Sequence, residues 1–208
     1  MGRPDRRGRY LLPYAQAHKE GARGVRALLW EDRRSQEVRF EALVRLCPLA
    51  DLRILDVGCG RADFLGYLRG RGIAPAHYTG LEAQPWLVRA ARRRRYEDCT
   101  IVQGDFVEEG ANLRGNADVV VFSGSLNLLS SRQFYRCLGI AWQATRRFLA
   151  FNFLCSPTLA DSPELVWHHR RSVLAFARRE TPHVRVEDGY EEGDCTVVMK
   201  KGPPWRSS

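Results

Sequence analysis

Lysine is almost missing from this chain. Of its 33 basic residues only Lys19, Lys200 and Lys201 are lysines, so the formal charge of +9 is carried by arginine. A basic excess invites contact with phosphate, but so strong a skew follows as readily from a GC-rich coding bias as from selection for polyanions. The densest run, Arg92 to Arg95, ends a predicted helix, where cations favour the negative end of the macrodipole. The charge leaves a nucleic-acid partner open without establishing one. Equally missing is any apolar run near the roughly 18 residues that cross a bilayer, which excludes a helical membrane span. The basic stretch 1–9 leads into no sustained apolar core, so no signal peptide is predicted and the expected location is the cytoplasm. Close cysteine pairs are absent too. Cys47, Cys59, Cys99, Cys137, Cys155 and Cys195 stand far apart, which excludes zinc-ribbon and thioredoxin-type spacings. They read as reduced, mostly buried small hydrophobes, and no metal site is predicted from them.

What is present suits one folded domain. A chain of 208 residues, 44% hydrophobic and 10% aromatic, is long enough to bury a core of its own. Residues 1–25 are rich in arginine, glycine and polar side chains and read as a flexible, loosely held N-terminal arm with room for a short helix. Residues 26–201 read as the domain and 202–208 as a tail. Ser35 is placed to cap a helix that runs to Cys47 and stops at Pro48. Beyond it strand and helix alternate, with strands predicted at 53–57, 77–81, 100–102, 117–122 and 147–153. Helices are predicted between them at 62–69, 86–95 and 132–145. Such alternation builds a doubly wound, mostly parallel α/β sheet through right-handed crossovers. After a helix at 172–179, two strands at 184–186 and 196–199 flank the short acidic loop 187–194. The prediction is a seven-stranded, Rossmann-like sheet finished by a C-terminal antiparallel hairpin.

The chemistry concentrates where the first strand ends, at Asp56-Val57-Gly58-Cys59-Gly60. Glycines there let the backbone turn sharply into a helix and pass close to a ligand. Alone the pattern is weak, because dinucleotide enzymes use a similar turn. Three acids sharpen it. Glu82 follows Ala62 by 20 residues and ends the second strand, where a carboxylate can accept both ribose hydroxyls. Asp105 ends the third strand, in reach of an exocyclic adenine amine. Asp56 sits inside the turn motif, placed for a cationic amino group, and Asp63 opens the next helix as a cap or a surface acid. A pyrophosphate prefers a helix N-terminus free of carboxylates, so this set suits S-adenosylmethionine better than a dinucleotide.

The segment Ile54 to Gly60 resembles the first motif of the class I S-adenosylmethionine-dependent methyltransferases. Tyr78 to Glu82, Gly104-Asp105-Phe106 and Ala117 to Ser125 stand in the places of that family's second, third and fourth motifs. The resemblance implies that Gly58 and Gly60, with Cys59 between them, line the methionine moiety. It implies that Glu82, with Ala83 beside it, holds the ribose, and that Asp105 and the Phe106 backbone read the adenine. Ser123 and Gly124 would lie beside the amino acid end. The stretch Ala27 to Trp30 followed by Ser35 to Phe40 is similar to the N-terminal segment of an uncharacterised bacterial subgroup. That similarity implies Trp30 over the cofactor and Arg39, sharing a helix face with Gln36, on the methionine carboxylate. The competing readings are a core anchor for Trp30 and a surface arginine for Arg39.

The acceptor is far less legible. Ser123-Gly124-Ser125-Leu126-Asn127 is not the Asn/Asp-Pro-Pro-aromatic signature used on adenine or amide nitrogen, and it lacks the Pro-Cys pair of cytosine-carbon enzymes. The segment Leu154 to His169 is expected to wall the acceptor, with His168, Asn127 and Tyr135 as weak candidates for proton transfer. Tyr10 and Tyr14 are candidates for a lid. A small-molecule acceptor is the leading reading. RNA or protein methylation, and a non-catalytic cofactor-binding subunit, are the alternatives.

Overall fold

The computed structural model describes residues 8–113, 115–159 and 164–205. Residues 1–7 of the predicted arm, 160–163 of the predicted acceptor segment and 206–208 of the tail lie outside the described residues. The strands are β1 (Arg53–Val57), β2 (His77–Glu82), β3 (Cys99–Gln103), β4 (Val119–Phe122), β5 (Phe148–Leu154), β6 (Val184–Asp188) and β7 (Asp194–Lys200). They form one sheet in the order β3-β2-β1-β4-β5-β7-β6. The first five pair in parallel, and β7 runs antiparallel between β5 and β6. The predicted fold is therefore the observed one, and β7 rather than β6 takes the place against the parallel strands.

The sequence explains the centre of this sheet. Val119 to Phe122 and Phe148 to Leu154 are buried along their whole length, as strands covered on both faces must be. Alternate residues face opposite layers. Ile54, Val119, Val121 and Ala150 pack against helices α2 (Arg33–Leu46), α3 (Asp63–Gly70) and α4 (Pro85–Arg93) through Phe40, Phe64, Leu65 and Val88. Leu55, Val120, Leu149 and Phe151 pack against α5 (Ser131–Ala144) and α6 (Arg170–Glu180) through Phe134, Leu138 and Leu174. Each of these side chains larger than alanine contributes about 1.5–3 kcal/mol on burial. Trp205 extends this order into the predicted tail by stacking on Phe148 at 5.4 Å.

One N-terminal expectation is corrected. Helix α2 starts two residues before Ser35, because Asp32 is the cap. The Asp32 carboxylate accepts from Ser35 N at 2.7 Å, and the Ser35 hydroxyl accepts from Asp32 N at 3.3 Å. This reciprocal box satisfies two otherwise orphaned backbone donors. The described part of the arm, with its short helix, packs onto the sheet edge. A 3-10 turn at Arg9–Leu11, helix α1 (Leu12–Lys19) and a 3-10 turn at Arg26–Leu28 cross the carboxyl ends of the strands. The sparse apolar residues Tyr10, Leu11 and Tyr14 supply the contact with the main core.

Candidate functional site

The carboxyl ends of β1, β2 and β4 open into one pocket, where ligands of open α/β sheets bind. Its floor contains Asp56, Gly58, Cys59, Gly60, Glu82, Ala83, Phe106, Ser123 and Gly124. Gly58 and Gly60 have φ of 76° and 55°, in the left-handed region that favours glycine. A Cβ on Gly58 would collide with the Ser125 side chain, and one on Gly60 would come within 2.9 Å of Leu28 Cδ2. The turn is held from β2: Gly58 N and Cys59 N both donate to Leu81 O, at 2.8 and 3.1 Å.

Glu82 is fixed by the same turn. Its Oε2 accepts from Gly60 N at 3.0 Å and its Oε1 from Gln84 N at 2.7 Å. Burial pushes its pKa up, and these backbone donors oppose that rise. The carboxylate is thus oriented before any ligand arrives, with lone pairs left for further donors. Asp56 is fully enclosed and accepts from the Tyr78 hydroxyl. Burial lifts its pKa to about 7, with the Tyr78 hydrogen bond acting in the other direction. Ser125 Oγ donates to Val57 O at 2.6 Å, and Gly124 N donates to Asn152 Oδ1 at 2.8 Å. These two bonds tie the loop after β4 to β1 and β5.

The roof comes from the N-terminal segment. Tyr10, Leu11, Tyr14, Leu28, Trp30 and Gln36 all line the pocket. Trp30 lies so close over the β4 loop that a Cβ on Gly124 would come within 2.5 Å of its ring. Leu11 O accepts from Gln84 Nε2 at 3.0 Å, tying the roof to the start of α4. Burial raises the pKa of the phenols of Tyr10 and Tyr14, so both stay protonated.

One predicted ligand contact is spent inside the protein, and a second is engaged through one of its two oxygens. Arg39 does not line the pocket. Its Nε donates to Asp194 Oδ2 at 2.8 Å, with the two side chains 5% and 0% exposed, and its Nη1 donates to Ser35 O. The guanidinium lies 4.9 Å from the Trp30 ring centroid. Arg39 therefore joins α2 to β7 and supports Trp30, which corrects the expectation of a carboxylate contact. A fully desolvated cation needs a fixed anion, and Asp194 at the start of β7 is that anion. Asp105 is also absent from the pocket lining. Its Oδ1 accepts from Val107 N, Glu108 N and the Tyr10 hydroxyl, the last at 2.5 Å.

Gln36 was the residue least weighted by the sequence. It is 5% exposed, lines the pocket, and its amide makes no hydrogen bond within the described residues. The available signal was its helical spacing from Phe40, which also lines the pocket. Asp63 lines the pocket as well; one oxygen pairs with Arg94 and Oδ2 is buried without a partner. The weak proton-transfer candidates stand elsewhere. His168 stacks on Phe134 with centroids 4.0 Å apart, and burial lowers its pKa. Neither His168, Asn127 nor Tyr135 lines this pocket.

Known proteins share both the sequence and the fold. A family model described as a methyltransferase domain matches residues 54–147. Rv1506c of Mycobacterium tuberculosis (strain ATCC 25618 / H37Rv), which carries a methyltransferase name, is 30% identical over 169 residues, 76% of this chain and 99% of its own length. The biotin biosynthesis bifunctional protein BioCD of Bordetella avium (strain 197N) is 28% identical over 74% of this chain, which spans only 31% of that relative. Among solved structures, magnesium protoporphyrin IX methyltransferase from Synechocystis PCC 6803 with bound SAH aligns with a TM-score of 0.68 at 12% identity, covering 93% of this chain and 99% of that one. The DhpI–SAH complex aligns with a TM-score of 0.66 at 14% identity, over 91% and 93% of the two chains. Similarity to a methyltransferase-named relative over nearly its whole length, on a sheet of this order, makes the chain a member of the class I S-adenosylmethionine-dependent methyltransferase family.

Proposed function

We propose that this chain transfers a methyl group from S-adenosylmethionine to a small-molecule acceptor, in the pocket between the strand ends and the N-terminal roof. The observation that carries the small-molecule reading is the roof itself. Side chains from residues 10–36 cover the floor on which Glu82 and the glycine turn lie, so a compact acceptor suits the enclosed space better than a polymer.

The residues fit the cofactor. The left-handed turn at Gly58 and Gly60 lines the pocket floor, and Glu82 is pre-oriented there by two backbone donors. Glu82 would accept the ribose hydroxyls, with Ala83 beside it. Asp56 would balance the ammonium of the amino acid end, near Ser123 and Gly124. Phe106 would wall the adenine, and Trp30 would cover the cofactor from the roof. Asp105 would act through its second oxygen, because Oδ1 already takes three donors. The unpartnered Gln36 amide would meet a polar group of the cofactor or the acceptor.

When bound, the cofactor supplies a methyl group already activated on a sulfonium. The protein's part is to align the acceptor and exclude water. No histidine is among the residues lining the pocket, and its phenols are held neutral. Incubation with methyl-labelled S-adenosylmethionine and a cell extract, followed by size fractionation, tests the reading. Label in the low-mass fraction is expected; label confined to RNA or protein would overturn the small-molecule reading.

A further inference from the structure

On the far side of segment 22–28 from the cofactor pocket lies a second, open cleft, between the N-terminal segment and α4. Arg23 and His18 come from one wall, Arg61, Arg89 and Arg93 from the other, and no carboxylate lines it. Trp86 helps close it, its ring stacked on His18 at 4.1 Å and 3°. That stack joins α1 to α4 and holds the two walls together. Trp86 Nε1 is buried without an acceptor, so apart from His18 the polar side chains here are donors only.

Several arginines outside this cleft are neutralised. Arg33, Arg45, Arg71 and Arg170 each meet a carboxylate, and Arg92 of the basic run donates to Ile101 O. Arg94, at the edge of the cleft, is committed to Asp63. The side chains of Arg23, Arg61, Arg89 and Arg93 make no hydrogen bond or ion pair within the described residues. Arg89 and Arg93 stand one helical turn apart, a spacing at which like charges repel. Three separate stretches of chain thus bring four uncompensated guanidinium groups to one concavity.

We propose that this cleft binds a compact ligand bearing several phosphates. The planar guanidinium fork matches phosphate oxygens in paired hydrogen bonds, and a polyanion would relieve the repulsion between Arg89 and Arg93. Convergence into a cleft favours a compact oligophosphate over a polynucleotide backbone, which is better served by a continuous stripe. Arg92, which would extend such a stripe along the run, is turned to Ile101 O.

Calorimetric titration of the full chain with tripolyphosphate tests the proposal. The variants are Arg89→Ala/Arg93→Ala and, as a control of equal charge change, Arg171→Ala/Arg178→Ala on exposed positions of α6. Thermal melting checks that both fold. The expected result is a loss of about tenfold or more in affinity in the cleft variant, with the control close to wild type. Absence of binding to wild type, or equal loss in both variants, would overturn the proposal. So would a short single-stranded RNA that binds through Arg89 and Arg93 about tenfold more tightly than tripolyphosphate.

Discussion

The floor and the roof of the cofactor pocket are built on different principles. On the floor, Glu82 is held by backbone N–H groups of Gly60 and Gln84, donors that a strand end and its turn supply by their own geometry. In the roof, Trp30 is supported by Arg39, which depends on Asp194, 155 residues away. Tyr10 reaches Asp105 across 95 residues. The floor is thus local chemistry repeated at successive strand ends, while the roof exists only once the whole chain has folded. A substitution in the floor should show first in binding, and one in the roof first in stability or closure.

The largest effect is expected in the roof. Arg39→Ala leaves the Asp194 carboxylate buried beside only the Tyr190 hydroxyl, which should cost about 3–5 kcal/mol in urea unfolding. A loss below about 1 kcal/mol would show that the roof does not depend on this pair. On the floor, Glu82→Ala should weaken S-adenosylmethionine by about 3 kcal/mol, roughly 100-fold, in calorimetric titration. Asp105→Ala should cost less, about tenfold, because three protein donors already occupy Oδ1. The opposite order would break the distinction between floor and roof.

Asp56 sharpens the comparison through pH. Its folded pKa of about 7 lies above the 3.8 of a free aspartate side chain, so its contribution to stability is whole below about pH 4 and is lost as pH rises through about 7. A bound ammonium favours the ionised form and acts in the opposite sense. Cofactor affinity should fall as pH drops below about 7, by up to about tenfold per unit. Asp56→Asn should remove most of that slope in titrations at several pH values. The smallest effect belongs to Tyr10→Phe. Losing one hydrogen bond of about 1 kcal/mol should speed cofactor release about fivefold in stopped flow, with the melting temperature little changed. An unchanged release rate would separate Tyr10 from closure.

Legibility in the sequence followed the same division. The strands, the left-handed turn at Gly58 and Gly60, and Glu82 at a strand end are all set within a few residues of themselves, and the amino-acid pattern carried them. Asp32 was also local, yet Ser35 looked like the cap because both belong to the same reciprocal box. Arg39 looked available for a ligand because nothing near it in sequence announces Asp194. Residues 8–25 looked loose because Tyr10, Leu11 and Tyr14 are few, and their burial depends on a sheet edge formed much later in the chain.

The sequence by itself determined the sheet, the glycine turn and the acids at the strand ends, because alternation, β-branched runs and turn residues act over short distances. Only the tertiary structure decided which charged and polar groups stay free. It spends Arg39 on Asp194 and one oxygen of Asp105 on Tyr10, and among the described residues it leaves the Gln36 amide and four arginines near Trp86 without partners. The reason is physical: whether a charge is neutralised depends on which distant side chain is buried against it, and that is a property of the packed molecule.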